Sequence, residues 1–387
     1  MMFDNRIVTL EEICDELSDG LHKAPIFVPN GEYIFVNATN LENGSIVDKD
    51  PLKHTSHEEY LKYGVSLNDR TILYSIDGTV GNIARYRGEK CVLGKGACYI
   101  NVNNDVCVDY IYYQLQSPHF KNYIHLMATG STIKHISLKT MRNYSFHLPD
   151  IVTQRKVAAV LSRISNRIEL NTAINENLEQ QAQALFKNLI EDIQERVPFT
   201  SVIQVLGGGT PKTGKQEYWN GEIPFFTPKD VGAPYVLTTE KSITPLGLDN
   251  CNSRLYPVNT VFLTARGTVG KVSLAGVPMS MNQSCYALAG KDGLHQIIVY
   301  HYVLETVKAL KHKASGAVFD AIITRDFDTE SVPALSSEQI ESFIAVAEPI
   351  YSDILNRTIE NQRLAALRDT LLPKLMNGEI DVSEVKI

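Results

Sequence analysis

The chain has 387 residues, 44% of them hydrophobic and 21% charged, with a formal net charge of −7. That is the balance of ordinary globular protein, two or three domains by length. No apolar run approaches the roughly 18 residues a membrane span needs, and the acidic surplus argues mildly against nucleic acid, although a basic groove can coexist with acidic outer faces. The cysteines Cys14, Cys91, Cys98, Cys107, Cys251 and Cys285 are scattered without a CxxC pair. The N-terminal MMFDNRIVTLEEICDEL lacks the basic-then-apolar layout of a signal peptide. The expectation is a cytoplasmic protein with reduced thiols and no metal site.

In chain order, IVTLEEICDEL reads as a strand entering a short helix, followed by the loop GLHKAPIFVPNGE and the apolar run YIFVNATNL. RTILYSIDGTVGNIARY carries two β-rich runs around Gly78 and Gly81, a hairpin signal. Residues 98–102 read as a strand and 109–127 as one helix. His54 and His57 stand three apart without further ligands, as exposed loop histidines.

From Thr153 to Glu195 there is neither Gly nor Pro. Val157, Leu161, Ile164, Ile168, Leu178, Ala182, Leu185 and Leu189 recur at steps of three and four, a heptad seam. A helix of that length runs about 60 Å. Asn171 and Asn175 fall on the seam, where they either fix register or face solvent.

The same order then recurs about 190 residues further on. Asn30-Gly31-Glu32 before YIFVNATNL matches Asn220-Gly221-Glu222 before IPFFTPKDV, and ILYSIDGTVGNI matches VFLTARGTVGKV. Cys98-Tyr99 matches Cys285-Tyr286. A second long helix is expected over Ser337–Met376, with Ile340, Ile344, Ala347, Tyr351 and Ile354 and, after a phase slip, Leu364, Leu367, Leu371 and Leu375. The order is globular unit, helix, globular unit, helix: a pseudo-two-fold α/β (α+β) protein whose seams pair antiparallel and set the spacing of two heads. The divisions are 1–150, 151–196, 197–335 and 336–387.

Gly209-TPKT-Gly214-Lys215 fits seven positions of a phosphate-binding P-loop, but the eighth is Gln216 and EYWNGEIPFF does not read as a helix. The better reading is a mobile loop suited to phosphate and base-edge contacts, with a plain surface turn as the alternative. No nucleophile, base and orienter can be paired. The apolar strands of the two copies agree better than their polar loops: Asp77 aligns with Arg266, Lys95-Gly96 with Asn282-Gln283, and Lys134-His135 with Asp320-Ala321. Two copies that read two sequences would differ in this way, and so would copies that drifted after duplication.

GGGTPKTGKQEYWNGEIPFFTPKDV, RGTVG with NQSCYAL, INENLEQQAQALFKNLI and RLAALRDTLLPKLMNGEI resemble, over the whole chain, the specificity (S) subunit of type I restriction–modification systems. The first half departs more, with His22-Lys23-Ala24-Pro25 where a GGTP-like loop would stand. The resemblance implies two target recognition domains, each reading half of a split double-stranded DNA target, separated by two antiparallel coiled-coil helices. It implies a subunit without catalysis or cofactor of its own, partnered by two methyltransferase (M) subunits and by restriction (R) subunits. S-adenosylmethionine, ATP and Mg would belong to those partners. The DNA contacts expected are His22, Lys23, Asn37, Asp77, Thr79, Lys95, Lys134 and His135 in the first head. In the second they are Thr210, Lys212, Thr213, Lys229, Arg266, Thr268, Asn282 and Gln283. The rival reading is an adaptor with two protein-binding heads on a coiled coil.

Overall fold

The computed structural model describes residues 6–128, 130, 134–232, 234–313 and 321–386. It divides into two compact units, Met1–Asn166 with Leu364–Ile387, and Arg167–Arg363. Each unit is a mixed helix–sheet body that contains part of both long helices, Ile151–Glu191 and Ser337–Met376.

In the first unit the central sheet runs Cys14–Asp19, Ala97–Val102, Thr71–Ser75, Ile83–Arg85, antiparallel throughout. Its two central strands, Ala97–Val102 and Thr71–Ser75, are buried on both faces, which explains their near-continuous apolar sequence. Ile72, Tyr74, Cys98 and Ile100 face a core under the helices. Leu73, Ala97 and Tyr99 face a second cluster with Val36 and Leu93. The second unit repeats this alternation: Val261, Leu263 and Leu288 on one side, Phe262, Cys285 and Ala287 on the other. In both units the opening strand pairs with the strand that leads into a long helix: Arg6–Thr9 with Ser145–Leu148, and Arg196–Pro198 with Ser331–Pro333.

The Asn-Gly pairs have a backbone reason. Asn30 and Asn220 sit at φ 56° and 60°, a left-handed conformation that Asn tolerates. A Cβ on Gly31 or Gly221 would lie 2.6 Å from the carbonyl oxygen of Thr55 or Ile243, so the turn admits little but glycine.

Several local expectations need correction. IVTLEEICDEL holds a single 3-10 turn, Glu11–Ile13, and CDELSD is a strand. The helix expected over 109–127 is two, Val108–Gln114 and Pro118–Met127, because Pro118 has no N–H to continue the ladder. The second unit has no such proline and builds one helix, Gln296–Lys313. His54 is not a free loop histidine: it bonds the Gly31 carbonyl (2.8 Å) and Asp48 (2.9 Å), and its pKa is raised, chiefly by Asp48. The strand pairs also move one alignment. Ala97 stands opposite Ser75 as Cys285 stands opposite Thr264, so Cys285 corresponds to Ala97, not Cys98, and Lys95 corresponds to Gln283.

The long helices pair antiparallel within each unit. In the first, Val157 and Leu161 cluster with Leu372 and Leu375, while Leu371 and Ile164 are half-buried. In the second, Ala182 and Phe186 meet Phe343, Ala347, Tyr351 and Ile354; Leu178, Ile340 and Ile344 pack at the edge, and Ile168 is half-buried, as is Leu364 of the first unit. Leu185, expected on the seam, is 42% exposed, and Leu367 is 47% exposed. The seam steps from Ala182 to Phe186 instead, because a helix of 3.6 residues per turn drifts against a strict heptad. Asn171 and Asn175 are buried. Asn171 donates to Glu360 and to Asn361, both at 2.9 Å, and accepts from Arg357 at 3.2 Å. Asn175 donates to the Ile354 carbonyl and the Thr358 hydroxyl, both at 3.3 Å. Of the two roles open to them, the register-fixing one matches this burial.

Phe186 stacks on His301 with centroids 4.7 Å apart, and Tyr351 bonds His301 Nε2 at 3.1 Å. Burial, reinforced by Lys308, holds His301 neutral and pushes its pKa down to about 3. Unfolded, it takes a proton below about pH 6.5. Between those values the unfolded state binds more protons, so stability falls as pH falls through this window and is unaffected above it. His301→Gln should lower the stability difference between pH 6.5 and 5 by about 2 kcal/mol, read from urea denaturation at the two pH values; an unchanged difference would contradict the neutral assignment.

Candidate nucleic-acid interface

Each unit assembles the predicted loop residues at one edge, and does so with backbone bonds. In the second unit four segments adjoin. The Gly209 N–H donates to the Met281 carbonyl (3.2 Å), Asn282 N–H to Phe226 (3.0 Å), and Ala265 N–H to Ser284 (2.8 Å). The Thr268 hydroxyl donates to Pro228 O at 3.1 Å, next to Lys229. Thr210 and Gln283 are hydrogen-bonded through their side chains. Lys212 and Thr213 lie beyond Thr210, where the Trp219 indole donates to the Lys212 carbonyl (3.3 Å). Thr210, Lys212, Thr213, Lys229, Arg266, Thr268 and Gln283 are exposed, and Asn282 is half-buried.

The first unit uses the same connections. Leu21 N–H donates to Leu93 O (2.7 Å) and Lys95 N–H to Leu21 O (3.0 Å), which carries His22 and Lys23 to the edge. Gly94 N–H donates to Val36 O, and Ile76 N–H to Gly96 O. A Cβ on Gly94 would lie 2.2 Å from Asn37 Oδ1, so Asn37 belongs to the same surface. Asp77 approaches Lys95 at 3.7 Å and His135 at 3.8 Å. Lys134-His135 pair antiparallel with Gly78 and Asp77, as Ala321 does with Arg266; Asp320 lies outside the described residues. Thr79 is exposed in the turn.

The GTVG loops share one brace. Ser75 Oγ accepts from Asn82 N–H (2.7 Å), and Thr264 Oγ1 from Lys271 N–H (3.0 Å). A second brace was missed in the sequence: Asn37 N–H donates to Asn40 Oδ1 (3.0 Å) and Thr227 N–H to Asp230 Oδ2 (2.8 Å). The signal was present, an Asn or Asp three residues on in NATN and TPKD.

The frame is repeated and its exposed chemistry differs. Asp77 is engaged by Lys95 and His135, whereas the Arg266 guanidinium has no ion pair with a described residue. Lys229 reaches Glu240 at 3.6 Å, and His22 reaches Asp19 at 3.1 Å. The Gly209–Lys215 string is followed by a 3-10 turn and the strand Trp219–Phe226, so it lacks the helix N-terminus on which a P-loop cradles phosphate. Lys215 instead lies over the Tyr218 ring at 5.1 Å. Among the described residues no group of three His, Cys, Asp or Glu could hold a metal ion, and no helix is long and apolar enough to cross a membrane.

A family model described as the type I restriction modification DNA specificity domain matches residues 3–180 and 194–345. The chain is 23% identical, over an alignment of 359 residues, to the type I restriction enzyme HindI specificity subunit of Haemophilus influenzae, covering 72% of this chain and 78% of that one. It is 30% identical over 166 residues to the type I restriction enzyme MjaIX specificity subunit of Methanocaldococcus jannaschii, covering 42% and 38%. Among solved structures, the type I restriction-modification S subunit from M. genitalium superposes with a TM-score of 0.58 at 16% identity, over 97% of this chain and 96% of that one. That last likeness speaks to the fold.

The backbone frame can be tested. A Cβ on Gly208 would lie 2.1 Å from the Asn282 carbonyl oxygen, whereas one on Gly214 meets nothing within 4 Å. Gly208→Ala should cost about 1–3 kcal/mol and Gly214→Ala about 0.5 kcal/mol or less, as measured by thermal denaturation. Equal costs would mean that the Gly208 segment does not hold the edge.

Proposed function

The chain belongs to the type I restriction–modification DNA specificity family, and we propose that within such a system it reads a bipartite duplex, one half-site per unit, and brings the enzymatic subunits to it. The observation that carries this reading is the repeated backbone frame with different side chains at its edge, the half-buried Asp77 and exposed Lys95 on one copy, the exposed Arg266 and Gln283 on the other. Segments 1–150 and 197–335 act as the two target recognition domains. Base edges are read by side-chain donors and acceptors, and the frame of backbone bonds leaves the exposed Arg266 guanidinium without an ion pair to a described residue. The chain itself is non-catalytic and holds no cofactor; two methyltransferase subunits supply S-adenosylmethionine and adenine methylation, and restriction subunits supply ATP- and Mg-dependent cleavage.

The acidic total of −7 is compatible with this division of labour, the partners carrying much of the sequence-independent phosphate contact. Equal affinity and salt slope of the isolated chain and the full complex on random duplex would refute it.

Arg266 is the sharpest base-reading candidate, since a bidentate guanidinium–guanine contact is the commonest specific one. Arg266→Ala should cost about 1–3 kcal/mol and relax preference at one base pair of one half-site. Uniform weakening on every sequence would make it a phosphate contact, and no change would remove it from the interface.

The paired helices serve as the ruler between half-sites. Deleting one heptad from both should shorten the tolerated gap by about three base pairs, since seven helical residues span about 10 Å. An unchanged gap in a methylation assay would end the ruler idea, and binding of protein partners without DNA would favour an adaptor.

A further inference from the structure

The loop Gly20–Gly31 of the first unit ends in an exposed apolar tip, and nothing in the reading above uses it. Ile26 is 69% exposed, Val28 42% and Phe27 37%. Exposing three adjacent apolar side chains is costly unless something covers them, and this tip is held out rather than left to fold back. The Ile26 N–H donates to Glu59 Oε2 at 3.0 Å, and the buried Thr55 hydroxyl donates to the Ile26 carbonyl at 2.8 Å. Val28 N–H donates to the His54 carbonyl at 2.8 Å, and Phe27 pairs antiparallel with Thr55. The Phe27 ring packs edge-on against Phe35, centroids 5.5 Å apart. Pro25 is buried and Pro29 follows the tip, so the backbone is restrained at both ends.

Two observations choose DNA as the occupant. The first is continuity: the loop leaves the interface edge at Leu21, which is bonded to Leu93 and Lys95, and passes through His22 and Lys23 before reaching Ile26. The second is charge. In a chain of net charge −7, Gly20–Gly31 contains no Asp or Glu and carries Lys23 and His22. The nearest carboxylates of the first loop are engaged, Asp19 by His22, Glu32 by Lys90 and the buried Glu59 by the Ile26 N–H and Lys62. A loop that offers Lys23 and His22 and no acid suits a partner that carries phosphates.

Resting on the DNA-reading assignment above, the geometry points to Ile26 as a specificity residue that contacts the 5-methyl group of a thymine in the first unit's half-site, with Val28 flanking it. The thymine methyl is the apolar group that the major groove displays, and an aliphatic side chain on a stiff loop distinguishes it from cytosine and from uracil by burying it. Burial of one methyl corresponds to about a fourfold change in affinity.

The test uses the full chain co-expressed with its methyltransferase subunits. The target is first selected from random duplex, and each thymine of the half-sites is then replaced by deoxyuridine. The wild-type complex should lose about fourfold in affinity at one thymine of one half-site. Ile26→Ala should weaken binding to the thymine duplex and abolish the deoxyuridine penalty at that position alone, while Lys23→Ala should weaken binding and leave the penalty in place. A penalty that Ile26→Ala leaves intact at every thymine would overturn the proposal, as would a target with no thymine in that half-site. Loss of the co-purified methyltransferase with base preference unchanged would also overturn it, and would mark the tip as a protein contact. Failure of the wild-type complex to enrich any bipartite sequence would instead refute the DNA-reading assignment itself.

Discussion

A surface that discriminates by side chain has to be built without consuming those side chains. In both units the edge is closed by main-chain bonds between the same segments: Ile76 to Gly96 and Gly94 to Val36 in one, Ala265 to Ser284 and Asn282 to Phe226 in the other. Glycines permit the approach, and buried strands beneath fix the heights of the loops. Backbone bonding is indifferent to sequence, so the frame survives while Asp77 on one copy is replaced by Arg266 on the other. The exposed groups at the edge can thereby differ between the copies without loss of the frame.

The helix seam works by a different economy. Its apolar positions, Val157 and Leu161 in one unit and Ala182 and Phe186 in the other, supply burial without register. Asn171 and Asn175 supply register: each must meet the returning helix at one height, or its buried amide N–H group is left unpaired. Asn171, Arg357, Glu360 and Arg167 form a bonded group, with Arg167 on Glu360 at 2.9 Å. A slip of one turn would break all of these contacts.

The repeat, both long helices and the loop segments that adjoin at the edge of each unit were legible from periodicity and from the Asn-Gly, GTVG and Gly-rich strings, because each reflects a backbone requirement. Three features were not. The one-residue shift that pairs Cys285 with Ala97 is invisible where matched cysteines suggest another alignment; only the ladder shows it. Phe186 replaces Leu185 on the seam because helical drift accumulates over turns. His54 looked solvent-facing because one partner, the Gly31 carbonyl, is main chain 23 residues away, and no pattern marks Asp48, six residues away, as the other. The fine assignment of base readers stays with the side chains, whose partners on DNA no sequence pattern names.

The central claim is that two similar frames read two unlike half-sites for one modification system. Methylation mapping of a host with and without this chain tests it most directly. The account predicts adenine methylation at a single bipartite motif, its halves different and its gap fixed, lost when the chain is deleted. Methylation that persists without the chain, or a motif with one contiguous site, would contradict it.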